Sequence, residues 1–133
     1  MKTAAMLDAH PAPTDVDREL LARVVDTLVE CSQACTACAD ACLGEEMVAD
    51  LRTCIRTDLD CADVCATTAR VLSRRTAYDA TVARAQLEAC VAACRACADE
   101  CEAHAGMHEH CRVCAECCRR CGAACAELLA AIA

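Results

Sequence analysis

Residues 31–42 read CSQACTACADAC, and residues 90–101 repeat the same cysteine spacing in CVAACRACADEC. In both stretches the cysteines follow one another at intervals of four, three and four residues. Residues at these intervals share one face of an α-helix, because the helix completes a turn in about 3.6 residues. Each stretch therefore predicts a helix that carries a stripe of thiols along one side.

Two more segments continue the pattern. In residues 54–65, Asp58 stands where the stripe predicts a cysteine. In residues 111–125, Cys117 lies at the edge of the thiol face. We interpret every residue of the four stripes as a candidate metal ligand. These residues are Cys31, Cys35, Cys38 and Cys42, then Cys54, Asp58, Cys61 and Cys65, then Cys90, Cys94, Cys97 and Cys101, and finally Cys111, Cys114, Cys117, Cys118, Cys121 and Cys125.

The rest of the chain favours long helices, since it contains only three glycines and two prolines. Thr14 and Thr76 are candidate N-terminal caps. The prediction is an all-α, antiparallel up-down-up-down four-helix bundle with a cysteine-lined core. Its helices would span residues 14–43, 45–73, 76–105 and 107–132 of a single domain, 14–133, preceded by a flexible leader, 1–13.

Alternating helices order this core from end to end. Apolar segments that include Leu28, Leu72, Val82 and Leu128 would meet at one end, and the thiol segments at the other. The open end of the thiol segments, its mouth, would be ringed by soft side chains in phase with the stripes. These candidate ligands are Met47, His104, Met107 and His108, whereas His10 and His110 fall outside the pattern and are interpreted as surface residues.

Composition excludes several function classes. The net charge is −8 and the chain has one aromatic residue, Tyr78, so nucleic acid and anionic membrane surfaces are unsuitable partners. No apolar run is long enough to span a membrane or to serve as an export signal near Met1, and we therefore expect a cytoplasmic protein in which the thiols stay reduced. No nucleophile and base are paired in the sequence, so we expect no enzymatic activity.

Seventeen thiols in phase need a chemical explanation. Leu, Ile and Val together make up only 23 of the 133 residues, and cysteine adds little more apolar area than alanine, so packing alone does not account for the stripes. Disulfides within a helix are excluded by geometry, because Cβ atoms at i and i+4 are about 6 Å apart. Metal binding is the remaining interpretation.

Charge distinguishes among the metals. Four bound Zn²⁺ ions would bring 8 positive charges, whereas the 17 thiolates carry about 17 negative charges, and the excess would lie in a low-dielectric interior. Soft monovalent Cu(I) suits thiolate and thioether ligands, and at about one ion per thiolate it keeps the core near neutral. Two alternatives stay open: a zinc buffer, and an iron–sulfur electron-transfer protein that uses the ferredoxin-like run Cys111, Cys114, Cys117 and Cys121.

The chain resembles the bacterial copper storage proteins in its four thiol stripes, in Asp58 of the second stripe and in its His/Met mouth. It resembles their cytosolic branch in having no recognisable export signal. The likeness covers residues 15–132. It implies reversible storage of many Cu(I) ions, protection against copper toxicity and a homotetramer. A copper chaperone is a candidate partner. The likeness also implies that the 17 cysteines are ligands, together with Asp58, His104, His108 and the mouth methionines. The function predicted from the sequence is a cytosolic Cu(I) store loaded through the mouth.

Overall fold

The chain folds into helices, and no strand occurs within residues 1–132, the part described by this computed structural model. Ala133, the last residue of the predicted domain, lies outside the described residues. The all-α prediction is confirmed. The helices are α1 (Thr3–Ala9), α2 (Arg18–Leu43), α3 (Arg52–Ser73), α4 (Ala80–His104) and α5 (Glu109–Ala131), with a 3₁₀ turn at Val48–Leu51.

Aspartates, not the expected threonines, cap two of the long helices. The Asp17 carboxylate accepts the backbone N–H of Glu19 at 3.1 Å, and the Asp79 carboxylate accepts that of Thr81 at 2.9 Å. A side-chain oxygen one position before the first helical residue satisfies free N–H groups of the first turn. The predicted starts at residues 14 and 76 are therefore wrong by about one turn.

The other two long helices also begin later than predicted. A turn and the 3₁₀ segment precede α3, and Leu51 in that segment is fully buried. His108 occupies the N-cap position of α5. The predicted starts at residues 45 and 107 thus fall in the connections, which leaves these connections free to form the mouth.

The first residues differ from the expected flexible leader, because Thr3–Ala9 form α1. Leu7 of this helix is only 4% exposed, and the Thr3 hydroxyl donates to the Asp26 carboxylate of α2 at 2.5 Å. Arg18 and Asp8 form an ion pair at 3.7 Å. One buried leucine and these polar contacts attach the segment to α2.

The four long helices contact one another in a ring. α2 packs against α3 and α5, and α4 packs against the same two helices. Between α3 and α4, the sulfurs of Cys54 and Cys101 are 3.8 Å apart, and so are those of Cys65 and Cys90. Residue numbers therefore rise along α3 as they fall along α4, and the side chains inside the ring form the core.

Leucine and valine fill the part of the core that lacks thiols. The buried set, each residue at most 1% exposed, comprises Leu21, Val24, Leu28, Leu72, Leu87 and Leu128. Val82 was expected in this set but is 54% exposed, because the face of α4 that turns inward there carries Ala83. The guanidinium of Arg75 stacks on the ring of Tyr78 at 4.2 Å in the connection between α3 and α4.

Candidate metal centre

All 17 cysteines are free and buried. Sixteen of them are at most 2% exposed, and Cys117 is 9% exposed. The repeat of three and four residues is the reason, because it keeps every thiol on the side of its helix that faces the ring. The thiols of α2 alone extend from Cys31 to Cys42, about 17 Å along a helix that rises about 1.5 Å per residue.

Neighbouring sulfurs contact one another both along and between helices. Within helices, Cys31 and Cys35 are 3.8 Å apart and Cys61 and Cys65 are 3.7 Å apart. Between helices, Cys35 of α2 lies 3.6 Å from Cys118 of α5. These separations exceed the roughly 2.05 Å of a disulfide bond. The sulfurs form a continuous thiol column through the core.

Groups of four donor atoms recur along this thiol column. A metal–thiolate bond of about 2.3 Å, the length found for zinc, places two sulfurs of one ion up to about 4.6 Å apart. In each group the ligand atoms lie within 4.8 Å of one another, so small movements bring them onto shared ions. From the mouth inward the groups include Cys38/Cys42/Cys54/Cys111, Cys38/Cys54/Asp58/Cys101, Cys35/Cys97/Cys114/Cys118, Cys31/Cys35/Cys61/Cys118 and Cys31/Cys65/Cys94/Cys121.

Asp58 is the carboxylate within the thiol column and is fully buried. Its Oδ1 accepts from the thiols of Cys97 at 3.0 Å, Cys114 at 3.3 Å and Cys101 at 3.4 Å. Burial is the main reason that the pKa of Asp58 rises to about 9, and the hydrogen bond with Cys97 acts in the same direction. The group is therefore neutral at pH 7 in the metal-free protein, and it offers an oxygen donor when it loses its proton.

Burial also favours the protonated form of two thiols near the mouth. It is the largest cause of their raised pKa values, which for the Cys42 thiol reach about 11 and which rise for Cys111 as well. Thiols that keep their protons carry no charge into the low-dielectric interior. A monovalent cation that displaces one proton at each thiol leaves this balance unchanged.

The two predicted methionine ligands lie on the surface. Met47 is 39% exposed in the connection between α2 and α3, and Met107 is 62% exposed in the connection between α4 and α5. Both connections belong to the same end of the ring, because Glu45 of the first pairs with His108 of the second. The structure therefore brings neither thioether together with the buried thiols.

The two predicted histidine ligands differ in their surroundings. His104 is half-buried, and its Nε2 lies 3.4 Å from the Glu100 carboxylate one turn earlier in α4. His108 has a side chain only 9% exposed, and its Nδ1 pairs with Glu45. The other ring nitrogen of His108, Nε2, is buried and has no hydrogen-bond partner within residues 1–132. This nitrogen can therefore serve as a metal ligand at the mouth.

His110 was predicted to be a surface residue, and this prediction is wrong, because its ring lies against two thiols. Its Nδ1 lies 3.4 Å from the Cys38 sulfur and 3.6 Å from the Cys111 sulfur, and its ring stacks on His108 with the centroids 5.4 Å apart. Burial lowers the pKa of His110, but its contacts with Cys38 and Glu45 outweigh burial and raise it. The side chain reaches the thiols because residues in the first turn of a helix point back toward the N-terminus.

Cys117 occupies the edge of the thiol face, as its phase indicated. Burial raises the pKa of its thiol, and the charge of Glu30 on α2 acts in the same direction. Cys117 is thus placed between α5 and α2, toward the outside of the ring. It differs in position from the cysteines of the four-donor groups given above.

None of the helices within residues 1–132 has the length and apolar character needed to cross a membrane.

Comparison with known proteins points to one family. The family model for copper storage proteins matches residues 17–130. A copper storage protein from Streptomyces lividans, Ccsp, solved with 10 copper equivalents, is 63% identical with a TM-score of 0.95, covering 96% of this chain and 98% of that one. A second structure, described as a cytosolic copper storage protein from Streptomyces lividans with five coppers, is 67% identical with a TM-score of 0.86, covering 88% and 98%.

A more distant relative is the uncharacterized cysteine-rich protein YhjQ of Bacillus subtilis. It is 32% identical over 88 residues, which make up 66% of this chain and 76% of that protein.

Proposed function

This chain belongs to the copper storage protein family, and we propose that it stores Cu(I) along the thiol column at about one ion per thiolate. The observation that carries the proposal is the continuity of the column, in which buried free thiols form successive groups with ligand atoms within 4.8 Å. The directions of the sulfur contacts support an antiparallel four-helix bundle as the container. The role is storage and not catalysis.

Storage of Cu(I) fits the charge of the core better than storage of Zn²⁺. Each Cu(I) replaces one thiol proton, so a filled column stays near neutral. Four Zn²⁺ ions bound by the 17 thiolates would leave about nine uncompensated negative charges in the interior. Asp58 then supplies one more anionic oxygen beside Cys97 and Cys101, which lets a cluster there hold a further positive charge.

The iron–sulfur alternative finds no support in the geometry. Cys111 and Cys121 lie on one uninterrupted helix, α5, and are about 15 Å apart at about 1.5 Å per residue. A single cluster needs its four thiolates on adjacent sides of one small core, which is usually provided by a loop. These two cysteines instead contact different partners, Cys38 and Cys65 respectively.

A metal-selectivity experiment tests the proposed function. We expect reduced protein that is offered an excess of both Cu(I) and Zn²⁺ under anaerobic conditions to retain copper, with zinc below about one ion per chain after desalting. Elemental analysis measures both metals in the same sample. A zinc buffer would show the reverse result, with about four zinc ions per chain.

Loading proceeds from the mouth, because the other end of the core is filled by leucine and valine. An arriving ion meets the buried His108 Nε2 and His110 Nδ1, and then the group that contains Cys38 and Cys111. From there it passes inward by exchange between sulfurs 3.6 to 4.0 Å apart. At each step one thiol loses its proton and the previous ligand regains one, while the copper remains in the +1 state.

The His110→Ala variant tests this route. We expect its initial rate of Cu(I) uptake to fall about tenfold, the order of effect of removing a group that supports a metal site, while the total copper capacity is retained. The matched control is His10→Ala, because His10 lies next to α1 and accepts the backbone N–H of Ala12. Equal uptake rates in the two variants would exclude a role for His110 in loading.

Location and assembly follow from family membership as further proposals. We propose that the protein is cytoplasmic, as its relative from Streptomyces lividans is described. We also propose a homotetramer supplied by a copper chaperone. Light scattering of the purified protein would then give a mass near four times the 14.0 kDa of the chain.

A further inference from the structure

A small cavity on the side of the ring reaches the middle of the thiol column. It lies between α4 and α5, has a volume of about 230 Å³, and its lining includes Cys94, Cys118 and Gly122. Both cysteines form the floor of the cavity and are only 1% exposed, with their sulfurs turned inward to contact Cys61 and Cys31 respectively. The mouth is remote from this point, because Cys118 lies about 10 Å along α5 from Cys111 at about 1.5 Å per residue.

Gly122 has no side chain, so the wall of the cavity is thin at this residue. A Cβ atom at this position would lie 3.4 Å from the Cβ of Cys94, which is ordinary van der Waals contact. An alanine would therefore fit, and alanine in a helix interior is more stable than glycine by about 0.5–1 kcal/mol. Helix stability therefore does not explain glycine at this position.

The rim of the cavity carries two arginines, one of which is neutralised by neighbouring carboxylates. Arg95 and Arg119 both line it. Arg119 is engaged with the carboxylates of Asp99 and Glu102, at 2.5 and 2.8 Å. Arg95 is exposed and forms no ion pair with another residue of the described chain, so its guanidinium is available to an anion.

We propose that this cavity is a lateral exchange site, at which a small thiol that also carries a negative charge removes Cu(I) from Cys94 and Cys118. The proposal rests on the proposed storage function. With a volume of about 230 Å³ the cavity has room for a compact organic molecule. The anionic group of the ligand pairs with Arg95 while its sulfur approaches the floor.

The exchange step is balanced without an oxidant or reductant. The incoming thiol forms a bond to a Cu(I) ion held by Cys94 or Cys118, and the bond from copper to that cysteine breaks. The proton of the incoming thiol moves to the cysteine sulfur that is released. Copper stays in the +1 state and the total charge is unchanged, so the site changes only the route and rate of release.

Release kinetics test the site. The copper-loaded protein is mixed with mercaptopropionate, an anionic thiol, or mercaptoethanol, a neutral one, and a bulky chromogenic Cu(I) chelator collects the released ions. We expect Gly122→Ala to slow the thiol-dependent rate by at least about threefold, because the added methyl group covers the approach to Cys94. The control Gly106→Ala places its methyl group in open space and should leave the rate unchanged.

Charge reversal supplies the second arm of the experiment. We expect Arg95→Glu to slow release by mercaptopropionate at least about threefold more than release by mercaptoethanol at low salt. The control Arg74→Glu makes the same change in net charge at an exposed position in the connection between α3 and α4.

The outcomes separate this proposal from the storage function. The lateral site would be overturned by equal release rates in Gly122→Ala and in the native chain, or by the absence of release with either thiol. If the native chain still loads copper fully, the storage function is unaffected by that result. Failure of the native chain to load copper would contradict the storage function itself.

Discussion

A variant in which Cys31, Cys65, Cys94 and Cys121 are all alanine should bind about four fewer Cu(I) ions than the native chain, at one ion per thiolate. These four sulfurs form one group with ligand atoms within 4.8 Å, and they come from all four long helices. The variant should also fill the remaining thiols beyond this group, Cys90 and Cys125, much more slowly. Copper would reach those two thiols by exchange from the Cys65 sulfur, which lies 3.8 Å from the Cys90 sulfur and is absent from the variant.

The measurement is an anaerobic Cu(I) titration of the variant and the native chain side by side, with circular dichroism to verify that the variant remains helical. The control variant, Cys90→Ala/Cys125→Ala, removes a contacting pair 3.8 Å apart and should lose only about two ions. A four-cysteine variant with undiminished capacity would show that these thiols are not copper ligands.

The second large effect is a pH-dependent stability that depends on Asp58. The pKa of this carboxyl is about 9 in the folded protein and 3.8 as an ordinary aspartate. The folded state therefore holds a proton that the unfolded state releases, and stability falls as pH rises between these two values. Between pH 5 and pH 7 the metal-free protein should lose about 2–3 kcal/mol of unfolding free energy, at about 1.4 kcal/mol per pH unit.

The Asp58→Asn variant isolates this contribution, because the amide does not ionise. Its unfolding free energy should change much less between pH 5 and pH 7, and it should exceed that of the native chain at pH 7. The raised pKa of His110 also favours the folded state at lower pH, so the contribution of Asp58 is the difference between the two proteins. Urea unfolding of reduced, metal-free protein measures it. Equal pH dependence in both proteins would mean that Asp58 is ionised in the native core.

The thiol core was predictable from the sequence because its signal is periodic. Intervals of three and four residues place side chains on one helical face whatever the surrounding fold, so the burial of the stripes, Asp58 included, followed directly. The helix starts were less predictable, since Thr14 and Asp17 are both acceptable caps and their choice depends on the packing of the first turn. The same holds for Thr76 and Asp79.

The mouth was the least predictable part, because it is built from connections and not from a periodic face. His110 falls off the thiol stripe, yet the first turn of α5 and the Glu45 carboxylate hold its ring against Cys38. Its position directly before Cys111 was the one available signal. Met47 and Met107 fit the helical phase but lie in connections, where phase no longer determines direction. The α1 helix depends on a single buried leucine, Leu7, which gives no periodic pattern.

The most direct test of the storage account is an anaerobic Cu(I) titration of the fully reduced native chain against a competing chromogenic chelator, with thiols counted in the same sample. The account predicts tight uptake that continues to about one ion per thiol, close to the 17 cysteines of the chain. Saturation at about four ions or fewer would contradict it, because most of the buried thiols would then not be copper ligands.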